Sequence, residues 1–527
     1  MASKLDGNVL DPEREEVMDQ GIEESIEDVR EAEFESLESS DDLIDLSLGI
    51  ETEYYIVDEN NESISEHQRN LVIGKGVESS LESIDHELGA SMVEIATDPI
   101  KNPENLDEVK KELERVENIL KERVEEEGFK LVRHGANVSQ DVNSIERTTE
   151  GKYIAVPNVY GQLRAEEDLE FSEDINAERM TDELGEIDSI DPRNEDLPAA
   201  ICSTQLNMQA DDMEDAIEKA NTGYAVAPYI TALSGNSRFI DGKDIGFNDI
   251  RMEVWEKAFD IGDMEKDDLD IGKIDEYFQD LEDIKERMQE QPRIVNDTRH
   301  EGIDEKYSEK MEKIPLNVAE GMFWKDARIK MTETIETEES IKQHVRDDLL
   351  VEFRQNSTQP TLQEDIAVHA FYIGRIVYEQ SDELGRNSEL LDIEKVNENR
   401  YEAMRNGVDA ELYDWRGEKK SAEEVIGEEF EKAREGLKHA IGDSSYLDIL
   451  DCRLENKVTP ADEVAEQFYN NLLEEHGHEP MEGIKHSEEL PEDFNYHEVS
   501  EEVKKAAAVK ATNQITMKTH NQGVRSH

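Results

Sequence analysis

Four stretches of this chain set polar side chains at alternate positions of otherwise apolar runs: LGIETEYY at 48–55, SMVEIA at 91–96, CSTQLNMQ at 202–209 and LLVEFRQ at 349–355. Successive side chains of a β-strand point to opposite faces, so Glu51 shares a face with Glu53, Gln205 with Asn207, and Glu352 with Arg354. Ile50, Thr52, Tyr54, Thr204, Leu206 and Met208 then face the other way. Strands of this kind cannot be buried on both sides, as the strands of a doubly wound parallel sheet are. The predicted class is α+β: a mostly antiparallel sheet with helices on its apolar face and a polar cleft on the other.

Helical periodicity fills the spaces between these strands. Leu106, Val109, Leu113, Val116, Ile119, Leu120 and Val124 recur at helical spacing, with Asn102 or Asn105 as cap and Gly128 as stop. Further helices are predicted over Met213–Leu233, over the nearly all-apolar Asp365–Gln380, and over Ala422–Ile441 and Ala461–His476. A third strand is expected in FKLVRHGANV, which follows Gly128. The predicted organisation is an acidic leader, mobile or loosely helical, at 1–45, one catalytic domain at 46–476 and a polar tail at 477–527. Acidic insertions are expected near 165–197 and 260–313.

The 57 Lys+Arg against 132 Asp+Glu leave a formal charge of -75, which opposes binding to nucleic acid or to an anionic membrane. So self-repelling a surface suits molar salt, where charge is screened within about 3 Å, and the excess reads as halophilic adaptation. Most of these carboxylates are therefore solvated surface, and only those inside apolar strands are candidates for chemistry. Two cysteines, Cys202 and Cys452, give no disulfide framework and no zinc spacing. With no run of about 18 apolar residues and no charged-then-apolar leader, a soluble cytoplasmic protein is expected.

Two glutamates two residues apart on one strand face need a cation or a proton between them, and hard oxygen ligands so placed suit Mg²⁺ bridging nucleotide phosphates. The competing reading is an exposed sheet face in an acidic protein. Glu94 and Glu352, set in the same alternation on other strands, favour a shared site over chance.

Read together, LGIETEYY, ELGASMVEIATDP, ICSTQLNMQADD, APYITALSGNSRFIDGKDIGFNDIRMEVW, VEFRQNSTQPT and NKVTPADEVAEQFYN resemble, in order, the glutamate–cysteine ligase family in its plant and proteobacterial branch. The resemblance implies a curved sheet like that of glutamine synthetase, ATP and Mg²⁺ as cofactors, and glutamate with cysteine or another amine as small-molecule substrates. It further implies that Glu51, Glu53, Glu94, Gln205 and Glu352 hold metal, and that Glu352 and Arg354 are catalytic, with Arg354 beside the transferred phosphate. Arg251 would hold the glutamate carboxylate, and Arg328, Thr204 and Asn207 would complete substrate binding. The implied reaction is ATP-dependent ligation of the glutamate γ-carboxylate to cysteine through an acyl phosphate. Many relatives carry His where Gln205 stands, although the plant branch has Gln, and the interval between ARIK and VEFR is longer here than in that branch.

Two other readings stand beside this one: a ligase of the same fold with another amine or acid, and a catalytically silent acidic scaffold. Several local signals fail. The gap from Gly235 to Gly242 is too long for a nucleotide P-loop, so GNSRFIDGK reads as a turn near substrate. His476 and His478 read as surface, and Cys202 as a packed core thiol. The oligomeric state is not legible from the sequence.

Overall fold

The computed structural model describes residues 12–35, 46–74, 83–102, 105–149, 153, 156, 160, 190, 194, 196–259, 271–291, 312–336, 340–384 and 390–523. Its centre is a curled antiparallel sheet with flanking helices. The strands are β1 (Ser47–Val57), β2 (Ile84–His86), β3 (Met92–Ala96), β4 (Ile100–Lys101), β5 (Lys130–Val132), β6 (Thr204–Ala210), β9 (Ala327–Glu336) and β10 (Ile341–Phe353). A separate small hairpin is formed by β7 (Phe239–Ile240) and β8 (Lys243–Asp244). The order across the main sheet is β2-β3-β1-β6-β10-β9, with β4 and β5 pairing to opposite ends of β1. Each strand predicted from alternation is present, and FKLVRHGANV contributes only the three residues of β5.

The apolar face packs on helices Leu106–Glu126, Met213–Ser234 and Leu362–Gln380. Asn105 caps the first of these, accepting from Asp107 N, while Asn102 takes a left-handed turn and its Oδ1 accepts from Leu46 N at 2.9 Å. Asp212 and Thr361 cap the other two through Asp215 N and Glu364 N. Helix Leu362–Gln380 also packs on helix Ala422–Ile441, and a Cβ on Gly436 would stand 1.9 Å from Gly374 O, so glycine permits the contact. Arg375, buried between them, binds Glu429 and Glu379 at 2.7 and 2.8 Å.

Under β1 the apolar face holds a network of buried polar groups. Arg133 donates to Tyr54 Oη at 2.5 Å and to Glu117 at 2.9 Å, and pairs with Asp365. This network locks β1 to two helices from the side opposite Glu51 and Glu53. A buried group of this kind is costly to break and therefore fixes strand position.

Packed helices lie in both terminal regions. Helix Pro12–Glu31 lies where a mobile or loosely helical leader was expected, and it is docked because Met18, Ile22, Ile26 and Val29 form one buried stripe. Gly21 gives Pro315 room beside it, as a Cβ there would stand 2.7 Å from Pro315 Cγ. The expected polar tail carries helix Glu501–Gly523, whose Ala507, Ala508, Ala511 and Ile515 are buried in a cluster with helix Pro460–Glu475. The insertion near 165–197 lies outside the described residues apart from Ile190, Asn194, Asp196 and Leu197. Of the insertion near 260–313, residues 260–270 and 292–311 lie outside them, and the described part contains helix Leu281–Glu290. Among the described residues, no helix is long and apolar enough to cross a membrane.

Candidate functional site

The polar face of β3, β1, β6, β10 and β9 is the floor of a cleft of about 640 Å³. One wall is aromatic and apolar: Trp255 from helix Ile250–Ala258, Phe259 just past its end, and Trp324, with ring centroids 5.0–5.4 Å apart in pairs. The floor is charged and divides into two ends.

At the β3 end, Glu53 and Glu94 stand directly opposite each other in the antiparallel register. Glu87, one residue past β2, joins them, and one carboxylate oxygen from each lies within 4.8 Å of the others. Burial pushes the Glu53 carboxyl up to about 7, with Glu87 adding to the rise against Arg251, Ser203 N and Arg354. Burial also raises Glu94 well above its ordinary value, with Glu51, Glu87 and Glu53 contributing. Ser203 N and Gln205 Nε2 donate to the two oxygens of Glu53 at 2.5 and 3.3 Å and hold it in place. Three hard oxygen donors whose mutual repulsion is relieved by a cation fit a divalent ion such as Mg²⁺.

At the β10 end the same residue type behaves in the opposite way. Glu352 is fully buried and pairs with Arg328 and Lys330, with Arg354 Nη1 at 3.6 Å. Burial alone would raise its pKa, but Arg328, Lys330 and Arg354 together hold the carboxyl below its usual range. Asn207 Nδ2 donates to Glu51 Oε1 at 3.0 Å, and Lys330 Nζ lies 3.2 Å from Asn207 Oδ1 and 3.6 Å from Glu51.

The structure thus gathers Glu51, Glu53, Glu94, Gln205, Asn207, Arg328, Glu352 and Arg354 around one cleft, but not as one ligand shell. Thr204 corrects the sequence reading of substrate binding. It lies on the helix side of β6, bonded to His369 Nε2 at 2.8 Å and Thr52 Oγ1 at 3.2 Å, as strand alternation requires. Arg251 lies off the main cleft, beside a recess of about 30 Å³ that it shares with Arg354. Its Nη1 and Nη2 donate to Gln355 O and Arg354 O at 2.8 and 3.0 Å, while its buried Nε has no hydrogen-bond partner.

Sequence reasoning missed Glu87 and Lys330. Glu87 opens the quoted stretch ELGASMVEIATDP, but it sits in a turn where alternation does not apply. Lys330 follows Arg328 by two residues in ARIK, and that spacing was its only signal. The turn in GNSRFIDGK lies away from the cleft: Asp241 and Gly242 have positive φ, as the tight β7–β8 hairpin requires, and a Cβ on Gly242 would meet Lys505. Cys202 is buried, with its thiol pushed up by burial and by Glu53, as a core thiol should be. His476 bonds Leu472 O at 2.9 Å and lies edge-on to Phe494.

The model of glutamate-cysteine ligase family 2 matches residues 47–487. The chain is 38% identical over 60 residues to the chloroplastic glutamate–cysteine ligase of Medicago truncatula. It is 35% identical over 60 residues to chloroplastic glutamate–cysteine ligase A of Oryza sativa subsp. indica. Each alignment covers 11% of this chain and 12% of the relative's length. Among solved structures, the glutamate–cysteine ligase of Francisella tularensis in complex with AMP superposes with a TM-score of 0.51 at 13% identity, over 92% of this chain and 90% of that one. That likeness establishes the fold.

Proposed function

The chain belongs to glutamate-cysteine ligase family 2, and on that premise we propose that it joins the γ-carboxylate of glutamate to the amine of cysteine at the expense of ATP. Amide formation from a carboxylate is uphill in water, so the acid is first activated by attack of its γ-carboxylate on the terminal phosphate of ATP. The amine then displaces phosphate from the acyl phosphate.

The observation that carries this reading is the charge layout of the cleft: three convergent carboxylates at one end and three convergent cations at the other, beside an aromatic wall. Glu53, Glu87 and Glu94 would hold a divalent ion. When bound, that ion supplies positive charge to the nucleotide phosphates and orients them for in-line transfer. Arg328 and Arg354 face the same space, and fixed guanidinium groups stabilise charge on a phosphoryl group in transit. Glu352 touches all three cations and positions them. The aromatic wall offers a planar ring a stacking surface. Arg251 braces the backbone carbonyls of Arg354 and Gln355 and, through its unpartnered Nε, is proposed to approach the substrate acid.

Phosphate release from ATP is the test, with Mg²⁺, glutamate and a panel of amines in molar KCl. Glutamate-dependent release that rises with cysteine and is lost in Glu94→Gln is the expected result. Release that is independent of glutamate for every amine would overturn the assignment of the acid.

A further inference from the structure

The second carboxylate pair on the floor already has a cation. Lys330 Nζ pairs with Glu352, lies 3.2 Å from Asn207 Oδ1 and stands 3.6 Å from Glu51. These are three oxygens from three strands, β10, β6 and β1, around one ammonium, which hydrogen-bonds Asn207 and pairs ionically with the two carboxylates. The orientation of the Asn207 amide agrees: its oxygen faces Lys330 and its nitrogen faces Glu51 at 3.0 Å. Arg328 and Lys330, two residues apart on β9, flank Glu352, which pairs in register with Arg328. With Arg354 the group carries three positive charges against Glu51 and Glu352. A divalent ion entering it would meet net repulsion rather than the attraction present at Glu53, Glu87 and Glu94.

We infer that Lys330 is a built-in cation that holds the place of a metal ion at Glu51 and Glu352, so that the resting cleft takes a divalent ion only at its β3 end. The inference rests on the proposed reading of the cleft as a metal and nucleotide site. It narrows the ligand set expected from sequence: Glu51 and Glu352 serve the ammonium, and Glu53 and Glu94 serve the metal with Glu87. A tethered ammonium has a further consequence. It cannot be diluted away or exchanged for potassium, so this end of the floor stays neutralised whatever the metal supply.

Mn²⁺ titration of the full chain without nucleotide, followed by electron paramagnetic resonance in molar KCl to suppress surface binding, tests the inference by stoichiometry. The wild-type protein should take one tight ion, which Glu94→Gln removes. Lys330→Met should take one tight ion more, and Lys330→Arg, which keeps the charge, should not. Adding Glu352→Gln to Lys330→Met should remove the extra ion. A wild-type protein that already takes a second tight ion sensitive to Glu352→Gln would overturn the role of Lys330, and so would a folded Lys330→Met with unchanged stoichiometry. Should Lys330→Met fail to fold, the wild-type stoichiometry decides by itself. An extra ion in Lys330→Met, together with a wild-type ion indifferent to Glu94→Gln, would support Lys330 while refuting the reading of the β3 end, so the two failures are distinct.

Discussion

The two ends of the cleft floor use the same side chain under opposite conditions. Glu53 and Glu94 meet other carboxylates across β1 and β3, and each is easier to protonate than an ordinary glutamate. Glu352, more deeply buried, meets two arginines and a lysine and is harder to protonate. Burial disfavours the charged form at both ends, so the neighbours decide the outcome. One end is an incomplete charge arrangement that a cation would complete, and the other is complete within the chain. Removing a carboxylate should accordingly do different damage at each end.

The largest effect is expected at the completed end. Glu352→Gln leaves Arg328, Lys330 and Arg354 facing one another in a buried position, and breaking a buried pair in this way costs about 3–5 kcal/mol. Chemical denaturation should show that loss. A change below about 1 kcal/mol would mean that the three cations are solvated and that the contrast between the ends is false. At the open end the order reverses. Glu94→Gln removes a like charge and should leave stability unchanged or raised, while divalent-ion affinity falls by about 100-fold or more, beyond the loss typical of an outer-shell partner. Calorimetric titration of Mg²⁺ checks the affinity, and an unchanged constant would dissolve the proposed metal site.

A third buried glutamate sharpens the comparison, because it has neither a carboxylate cluster nor a cation cage. Glu320 accepts from Met331 N at 2.9 Å, from Thr332 N at 3.3 Å and from Thr332 Oγ1 at 2.9 Å, latching helix Pro315–Met322 to β9. Burial outweighs these bonds and raises its carboxyl from 4.5 to about 7. A group whose folded pKa is raised contributes stability that is full below the unfolded value and is lost as pH rises through the folded one. Wild-type unfolding free energy should therefore lose, from this group, an amount on the order of 3 kcal/mol between pH 4.5 and about 7, and Glu320→Gln should reduce that slope. An identical slope in both proteins would assign the titration elsewhere.

How much of this was legible in the sequence follows from what carries each feature. β1, β3, β6 and the inner half of β10 announce themselves because one face is apolar and the other is not, and the same alternation placed Glu51, Glu53, Glu94, Gln205 and Glu352 together. β9 and the outer half of β10 are charged on both faces, as MTETIE and KQHVRDD show, and leave no periodic signal. The docked helix at 12–31 was hidden in the same way, since its stripe of four apolar residues lies among acidic ones. Glu87 depends on a turn. The division of the floor into two ends depends on Lys330 crossing from β9 to residues of three other strands, a tertiary contact that no local pattern encodes.

Arg251 provides the smallest and most discriminating test, because it sits behind the cationic end without lining the main cleft. The sequence resemblance makes it a ligand of the substrate acid, whereas its geometry makes it first a brace, with Nη1 and Nη2 on Gln355 O and Arg354 O. Arg251→Lys keeps the charge and loses the fork. If Arg251 is only a brace, stability should fall by about 1–1.5 kcal/mol, the size of an ordinary hydrogen-bond loss, and Arg354, which carries the affected carbonyl, should slip. Then kcat should fall while the glutamate constant holds. If the unpartnered Nε also meets the substrate acid, the apparent affinity for glutamate should weaken by about 1.5 kcal/mol or more, roughly tenfold, and the ATP constant should stay fixed. Steady-state kinetics with each substrate varied in turn, on a variant shown by its melting curve to be folded, separate the two. A raised ATP constant with unchanged glutamate affinity would place Arg251 with Arg328 and Arg354 on the phosphate side, and the cationic end of the floor would then extend behind β10.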